Sequence, residues 1–274
     1  MVLEDENNTN IKACIVIPMY NEEAGAEKCI KAINNYIEAL EYLDALIIVN
    51  DGSTDATGSI LKDLLPNYKK LIIFSHNSNC GYGSALRTGT EWAINEGFDY
   101  VIFMDSDLTN DPKFLPLIFE KMQAGYDVIK ASRYIKGGRQ KGVPVWRSAI
   151  SIVANRLASM LYGINVRDCT NGFRAVKTRV LCQMDLQENG FEIIMEELYQ
   201  AKFLDSSFCE VPYTLTTRSD SIRPSSFIYN PKVFYRYLKY ALKSFLKILY
   251  TFSVFLLLAI DVSQITESKN IIWV

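Results

Sequence analysis

Short apolar runs at 11–17, 45–49, 71–74, 100–104 and 127–131 alternate with longer helix-patterned segments at 22–43, 54–65, 84–95 and 113–123. This alternation constrains the fold more than any other feature of the chain. Parallel strands need a crossover between them, and the crossover is usually a helix, so the pattern predicts an α/β domain on a mostly parallel sheet. Such a sheet binds its ligands beyond the carboxyl ends of the strands. The residues that follow each apolar run are therefore the ones to read for chemistry. No internal repeat or linker-like stretch breaks the pattern before residue 220. Farther on, a loop opens at Gly137-Gly138, a helix is expected over 146–161 and a turn at Asn171-Gly172. A helix over 191–201 and a strand over 208–217 follow, and this half is expected to complete the sheet and wall the site.

Four polar motifs follow predicted strands. In Pro18-Met19-Tyr20-Asn21-Glu22-Glu23, Pro18 ends the strand, Tyr20 offers a ring for stacking and Glu22 offers acceptors for a base or ribose. Acidic residues there also suit the first turn of a helix. In Asn50-Asp51-Gly52-Ser53-Thr54-Asp55, Gly52 permits a sharp turn, Ser53 or Thr54 can cap the next helix, and Asp51 can hold a ribose or base. Gly81-Tyr82-Gly83-Ser84-Ala85-Leu86-Arg87-Thr88-Gly89 enters a helix with main-chain N–H groups that suit phosphate. It is neither G-x-G-x-x-G nor a P-loop, which argues against a dinucleotide oxidoreductase. Asp105-Ser106-Asp107 directly follows the fourth strand. Two carboxylates one residue apart can share a hard divalent cation, whose remaining coordination goes to phosphate oxygens and water. An EF-hand is excluded, because its Gly and distal Glu are missing.

The segments IPMYNEE, VNDGSTD, GYGSALRTG, MDSDLTNDP, SRYIKGG, DCTNGFRAV and GFEIIMEELYQA, in this order, resemble the family-2 inverting glycosyltransferases. Within that family the likeness is to dolichyl-phosphate mannosyltransferases and related polyprenyl-phosphate hexosyltransferases, and it runs from residue 11 to residue 218. The resemblance implies a GT-A, Rossmann-like catalytic domain over 1–220. It implies that Pro18, Tyr20, Glu22, Val49 and Asp51 hold the nucleoside. Asp105 and Asp107 would hold Mg²⁺ or Mn²⁺ on the donor pyrophosphate, with Ser106 between them against the donor. Arg133, Arg147 and Ser151 would meet a lipid phosphate, Arg133 also serving the donor, and Arg218 would reach the donor phosphates as the site closes. The implied reaction moves a hexose, mannose from GDP-mannose in the first reading, to a polyprenyl phosphate at the cytoplasmic face of a membrane. A UDP-glucose or UDP-GlcNAc donor, or a sugar hydroxyl acceptor, is the alternative. The chain departs from the pattern at Thr109, where relatives carry Gln or Ser, and at Ser221 and Pro224, where many carry Gly and Lys. A register shifted onto Ser225-Ser226 is one way to restore it.

Residue spacing adds its own readings. Arg147 and Ser151 are i and i+4, so a helix there presents a guanidinium and a hydroxyl on one face, which suits a phosphate. Asn155 continues that stripe, so a solvated polar face is the plainer alternative. Asp168 and Arg174 flank the Asn-Gly turn and read as a structural ion pair. A hydroxyl acceptor would require a general base, for which Glu192 and Glu196 are the candidates against an ion-paired helix face. A phosphate monoester, with a second pKa of about 6, is already a nucleophile and requires none. The single histidine, His76, excludes a multi-histidine metal site and reads as a loop or sheet-edge residue. A non-catalytic nucleotide-sugar-binding scaffold is the reading outside enzymology, and the Asp105/Asp107 pair counts against it.

The formal net charge is −2, from 29 basic and 31 acidic residues, which argues against nucleic-acid binding by bulk basicity. That average hides two regions. From 221 to 260 there are six basic residues and no acidic one. Lys232, Arg236, Lys239, Lys243 and Lys247 fall within an arc of about 80° on one helix, with apolar residues opposite. Segment 221–274 is therefore expected to be a basic amphipathic anchor lying on an anionic membrane surface, peripheral or monotopic, with a core or dimer helix and a basic partner-binding helix of the calmodulin-target type as the alternatives. Its uncharged stretch at 248–260 is short for a span. The six cysteines form no C-x-x-C pair and read as buried small hydrophobes in a reducing cytosol; the polar stretch 1–10 does not read as a signal peptide.

Overall fold

The computed structural model describes residues 11–216 and 231–269, with side chains over 11–216 and 235–254. The readings at 1–10, Arg218, Ser221, Pro224, Ser225 and Ser226 lie outside the described residues. The strands are β1 (Ala13–Met19), β2 (Leu43–Asn50), β3 (Leu71–Ser75), β4 (Tyr100–Phe103), β5 (Val128–Ser132), β6 (Arg139–Gln140), β7 (Arg174–Lys177), β8 (Phe208–Pro212) and β9 (Thr214–Leu215). The helices are α1 (Ala26–Ala39), α2 (Thr57–Leu64), α3 (Tyr82–Asn95), α4 (Leu115–Gln123), α5 (Val145–Tyr162), α6 (Thr178–Leu181), α7 (Ile193–Phe203) and α8 (Pro231–Lys269).

Seven strands form one sheet in the order β3-β2-β1-β4-β7-β5-β8, and every pairing is parallel except those of β7. β6 and β9 form a separate parallel pair. The mostly parallel sheet is as expected. β7 has no counterpart in the strand reading, because its four residues, Arg-Ala-Val-Lys, carry little apolar signal and its identity comes from pairing with β4 and β5. Both faces of the sheet are buried. Ile15, Ile17 and Met19 of β1 join α1, α2 and α4 in one core, whereas Cys14 and Val16 join α3, α5, α7 and α8 in the other. This two-sided burial explains why β1 and β2 read as continuous apolar runs.

Local boundaries moved where side chains found other work. The helix expected from 22 is α1, which starts at Ala26, because the chain at 20–25 is tied to the loop after β2. Helix α2 starts at Thr57, and neither Ser53 nor Thr54 caps it. Instead Glu23 accepts from the main-chain N–H of Ala56 (2.9 Å), and Asp55 accepts from that of Thr57 (3.0 Å). All six cysteines are free; Cys14, Cys29 and Cys169 are buried as expected, but Cys80 and Cys182 are exposed.

Candidate active site

β1 connects onward to β2 on one side of itself and has β4 on the other, so a crevice opens at this switch point beyond the strand ends. The polar motifs after β1, β2 and β4 converge there. Pro18 and Val49 are direct register partners across β1 and β2. Pro18 sits inside β1 and does not end it. Tyr20 is exposed at the rim, whereas Val49 is wholly buried and acts as a support beneath the crevice.

The loops after β1 and β2 are laced together. Asn21, at φ +53°, accepts at Oδ1 from the N–H of Thr54 (2.8 Å), and its own N–H donates to Ser53 Oγ (3.0 Å). The N–H of Glu22 donates to Thr57 Oγ1 (2.8 Å), which keeps Glu22 nearly buried at the crevice edge. Gly52 has φ +67°, and a Cβ there would lie 2.2 Å from the main chain of Ser78. Asp51 accepts from the N–H groups of Cys80 (2.9 Å) and Gly81 (2.8 Å) and from Nδ1 of His76 (2.7 Å). The Asp51 carboxylate is thus the post to which the loop after β3 is tied. His76, expected at a loop or sheet-edge position, lies in the loop just after the edge strand β3; its bond to Asp51 is not foreseen by the sequence.

The glycine turn is not an open phosphate cradle. The N–H of Gly81 goes to Asp51 and that of Gly83 to the carbonyl of Asn189 (2.8 Å). A Cβ on Gly83 would lie 2.1 Å from the carbonyl oxygen of Glu188, so glycine serves close packing at this position. Arg87 seals the contact by donating to the carbonyl of Glu188 (2.6 Å) and to Asn189 Oδ1. The turn delivers Tyr82, whose ring stacks on Phe191 at 4.4 Å and whose hydroxyl donates to Asp105 Oδ1 (3.3 Å).

Asp105 and Asp107 leave β4 into this crevice. Asp105 also accepts from Asn110 Nδ2 (2.9 Å), and Asp107 accepts from the N–H (3.0 Å) and hydroxyl (2.7 Å) of Thr109. Thr109 therefore orients Asp107. Burial, and then the neighbouring charge of Asp107, push the Asp105 carboxyl up to about 6. Two carboxylates that repel each other at a crevice floor fit a hard divalent cation, which neutralises both.

The other wall corrects an expected pairing. Asp168 is bonded to Arg133, through Nε (2.7 Å), Nη2 (2.7 Å) and main-chain N–H (2.9 Å). Arg174 instead makes a fork with Glu197 (2.6 and 2.7 Å), both residues being about 1% exposed. Tyr134 donates to Ser151 (2.6 Å), and Asn155 bridges Ser151 and Thr170. Asn155 is buried, so the stripe Arg147-Ser151-Asn155 is not a solvated face. Arg133 and Ser151 are joined through Tyr134 and Thr170, and Arg147 lies one turn earlier on α5. Most of the Arg133 fork is committed to Asp168, which limits its freedom to meet two ligands.

Glu192 and Glu196 divide as well. Glu196 is buried and accepts from the N–H groups of Gln187 and Glu188 (both 2.9 Å) and from the Tyr240 hydroxyl (3.1 Å). Glu192 sits at the N-cap of α7 and pairs with Arg236 of α8 at 3.8 Å. Part of the basic stripe of α8 thus meets the protein. Lys239 pairs with Glu188 (2.6 Å), and Lys243 and Lys247 lie over the rings of Tyr240 and Phe203. Leu242, Phe245, Leu246, Leu249, Tyr250 and Phe252 are exposed instead. Among the described residues no helix is long and apolar enough to cross a membrane.

The chain resembles known proteins over most of its length. The chain is 28% identical over 211 residues to the polyprenol monophosphomannose synthase of Mycolicibacterium smegmatis, covering 76% of this chain and 78% of the relative. It is 31% identical over 212 residues to the dolichol-phosphate mannosyltransferase of Pyrococcus furiosus, a match that spans 76% of this chain and 58% of that longer protein. The fold matches that of glucosyl-3-phosphoglycerate synthase from Mycobacterium tuberculosis, solved with Mn²⁺, UDP and phosphoglyceric acid. That match has a TM-score of 0.64 and 21% identity over 86% of this chain and 80% of the other. The family model for glycosyl transferase family 2 matches residues 14–183, which span β1 through α6 and carry Asp51, Asp105 and Asp107. With its strand-end carboxylates gathered at the switch point of a GT-A-like sheet, the chain belongs to glycosyl transferase family 2 and is a glycosyltransferase.

Proposed function

We propose that this glycosyltransferase moves a hexose, mannose from GDP-mannose in the first instance, onto a polyprenyl phosphate at the cytoplasmic face of a membrane. The observation that carries the reading is the crevice floor, where Asp105 is held by Tyr82 and Asn110 beside Asp107, which is oriented by Thr109. Asp105 and Asp107 would hold the divalent ion, Mg²⁺ or Mn²⁺. When bound, such an ion supplies positive charge against the departing nucleoside diphosphate. Pro18 near the end of β1 and the loops at Tyr20, Glu22 and Asp51 line the nucleoside end, with Val49 beneath, and Ser106 lies between the two carboxylates. Arg133, Arg147 and Ser151 form the acceptor wall, and Arg218 is the proposed closing contact on the donor phosphates.

The work of the protein is alignment and charge placement. A polyprenyl phosphate is largely a dianion at neutral pH and attacks the anomeric carbon without a general base. The glutamates that a hydroxyl acceptor would require are both occupied, Glu196 by two main-chain N–H groups and Tyr240, and Glu192 by Arg236. This favours the phosphate acceptor. Domain 1–220 is the catalytic body in this reading, and 221–274 seats it on the bilayer. The seating surface is apolar: the outward residues of α8 and the exposed Trp146, Ile150, Val153, Leu157 and Met160 of α5. A helix that presents such a face suits a bilayer interface.

The test offers purified full-length protein polyprenyl phosphate with GDP-mannose, UDP-glucose or UDP-GlcNAc, with and without EDTA. Lipid-linked mannose from GDP-mannose, abolished by EDTA and restored by Mn²⁺, is the expected result. Transfer to a sugar hydroxyl in preference to the lipid phosphate would overturn the acceptor assignment.

A further inference from the structure

The loop between α6 and α7 joins two parts of the molecule that the reaction would not by itself require to touch. On its outer side, Glu188 Oε1 accepts from Lys239 Nζ (2.6 Å) and from the Tyr240 hydroxyl (2.7 Å), both on α8. On its inner side, the carbonyl of Glu188 accepts from Arg87 (2.6 Å) and that of Asn189 accepts from Gly83 (2.8 Å). Phe191 stacks on Tyr82, and the Tyr82 hydroxyl reaches Asp105. The N–H of Gly81 in the same turn is held by Asp51. A continuous set of bonded and packed groups therefore runs from α8 through Glu188 to both carboxylates that bracket the crevice.

We propose that Glu188 is a positioning residue through which α8 sets the donor site; this rests on the donor-site reading above. The main-chain contacts of 188–189 fix the glycine turn only while the loop itself is fixed. Its 187–188 main chain is clamped by Glu196, and the Glu188 carboxylate ties it to α8 at hydrogen-bond distance, beside the longer Glu192–Arg236 pair at 3.8 Å. Opposing the cost of its burial, Lys239 and Tyr240 hold that carboxyl below the ordinary glutamate range, as befits an acceptor of charge-assisted bonds. The helix expected to act only as an anchor is in this view also a strut of the active site. Its apolar outer face and its latching inner face belong to the same turns, Tyr240 facing in and Leu242 and Leu246 facing out.

Full-length Glu188→Ala and Glu188→Gln are compared with the parent by amide hydrogen exchange over 78–90, by steady-state kinetics and by flotation on phosphatidylcholine–phosphatidylglycerol vesicles. Glu188→Ala should speed exchange in that peptide, and raise donor KM, by about tenfold or more, the loss expected from a charge-assisted hydrogen bond. Acceptor KM and flotation should stay within about twofold, since neither the acceptor wall nor the outer face of α8 is altered. Glu188→Gln, whose amide oxygen still accepts from Lys239 and Tyr240, should recover most of both losses. If the alanine protein does not fold, Lys239→Met removes the ion pair to Glu188 while keeping the length of the side chain, and should shift both readouts in the same direction. Unchanged exchange and donor KM in Glu188→Ala would overturn the proposal, and so would a glutamine variant as impaired as the alanine one. Exchange is measured without substrate. A parent protein that transfers no sugar while its exchange still responds to Glu188→Ala would refute the function above and leave the latch standing.

Discussion

Glu197→Gln puts the buried fork beneath the site to the test. Arg174 and Glu197 meet through two bonds of 2.6 and 2.7 Å, and each is about 1% exposed. Arg174 also donates to the carbonyl of Gly172 (2.9 Å) and lies 4.2 Å from the ring centroid of Phe103. Glutamine keeps the shape and one acceptor. It loses the second bond, turns an NH₂ toward a guanidinium N–H, and leaves the Arg174 charge unpaired in the core. Breaking a buried pair from one side costs about 3–5 kcal/mol, and the retained bond places this variant near about 3 kcal/mol. For a chain of this size that is a fall in melting temperature of about 6–12 °C. The assay is thermal and urea unfolding followed by circular dichroism, with the urea midpoint moving and the slope unchanged. The deficit should persist in high salt, because mobile ions screen a buried pair poorly. A glutamine variant melting within about 2 °C of the parent, or a deficit erased by salt, would refute the reasoning.

Asp107→Ala should lower turnover by about a hundredfold or more at fixed Mn²⁺ while leaving the melting temperature nearly unchanged, as a metal ligand on a loop requires. A Cβ on residue 172 would stand 3.2 Å from both Asp105 Oδ2 and the Tyr82 hydroxyl. Gly172→Ala should therefore displace Asp105 by a few tenths of an ångström and raise half-saturating Mn²⁺ by roughly tenfold in a titration of activity. Although burial opposes it, bonds from Arg179, Ser207 and Lys177 hold the Asp127 carboxyl well below its ordinary range. Its contribution is present above about pH 4, where both folded and unfolded forms are ionised, and is lost as the unfolded chain takes up the proton at lower pH. Melting temperature should fall below about pH 4 in the parent and fall less steeply in Asp127→Asn.

Much of the fold is local enough to be written in the chain. The strands β1, β2 and β4 are buried on both faces, so each appears as an apolar run with its polar motif immediately after it. Asp51, Asp105 and Asp107 were legible because a parallel sheet delivers strand ends to one edge, whatever the details of packing. The role of the glycine turn was not legible. Its N–H groups looked available to phosphate until Asp51 and Asn189 were found to occupy two of them. His76 carried no signal beyond being the single histidine, since its partner is 25 residues away on another strand end.

The sequence by itself thus determined the strand-and-helix alternation, the acidic strand ends and the single stripe on which the basic residues of α8 lie. Each depends on spacing along one element, and periodicity fixes that. Tertiary structure alone decided which charges meet. Arg174 belongs to Glu197 and not to Asp168 because β7 enters the sheet antiparallel, opposite Phe103, and turns its guanidinium toward α7. A helical pattern likewise says which residues of α8 share a face, but not which face turns inward. Glu192 and Glu188 draw Arg236 and Lys239 to themselves, the Tyr240 hydroxyl turns to Glu188 and Glu196, and Tyr237, Leu238 and Ala241 pack against the core, which leaves Leu242, Phe245, Leu246 and Leu249 outside.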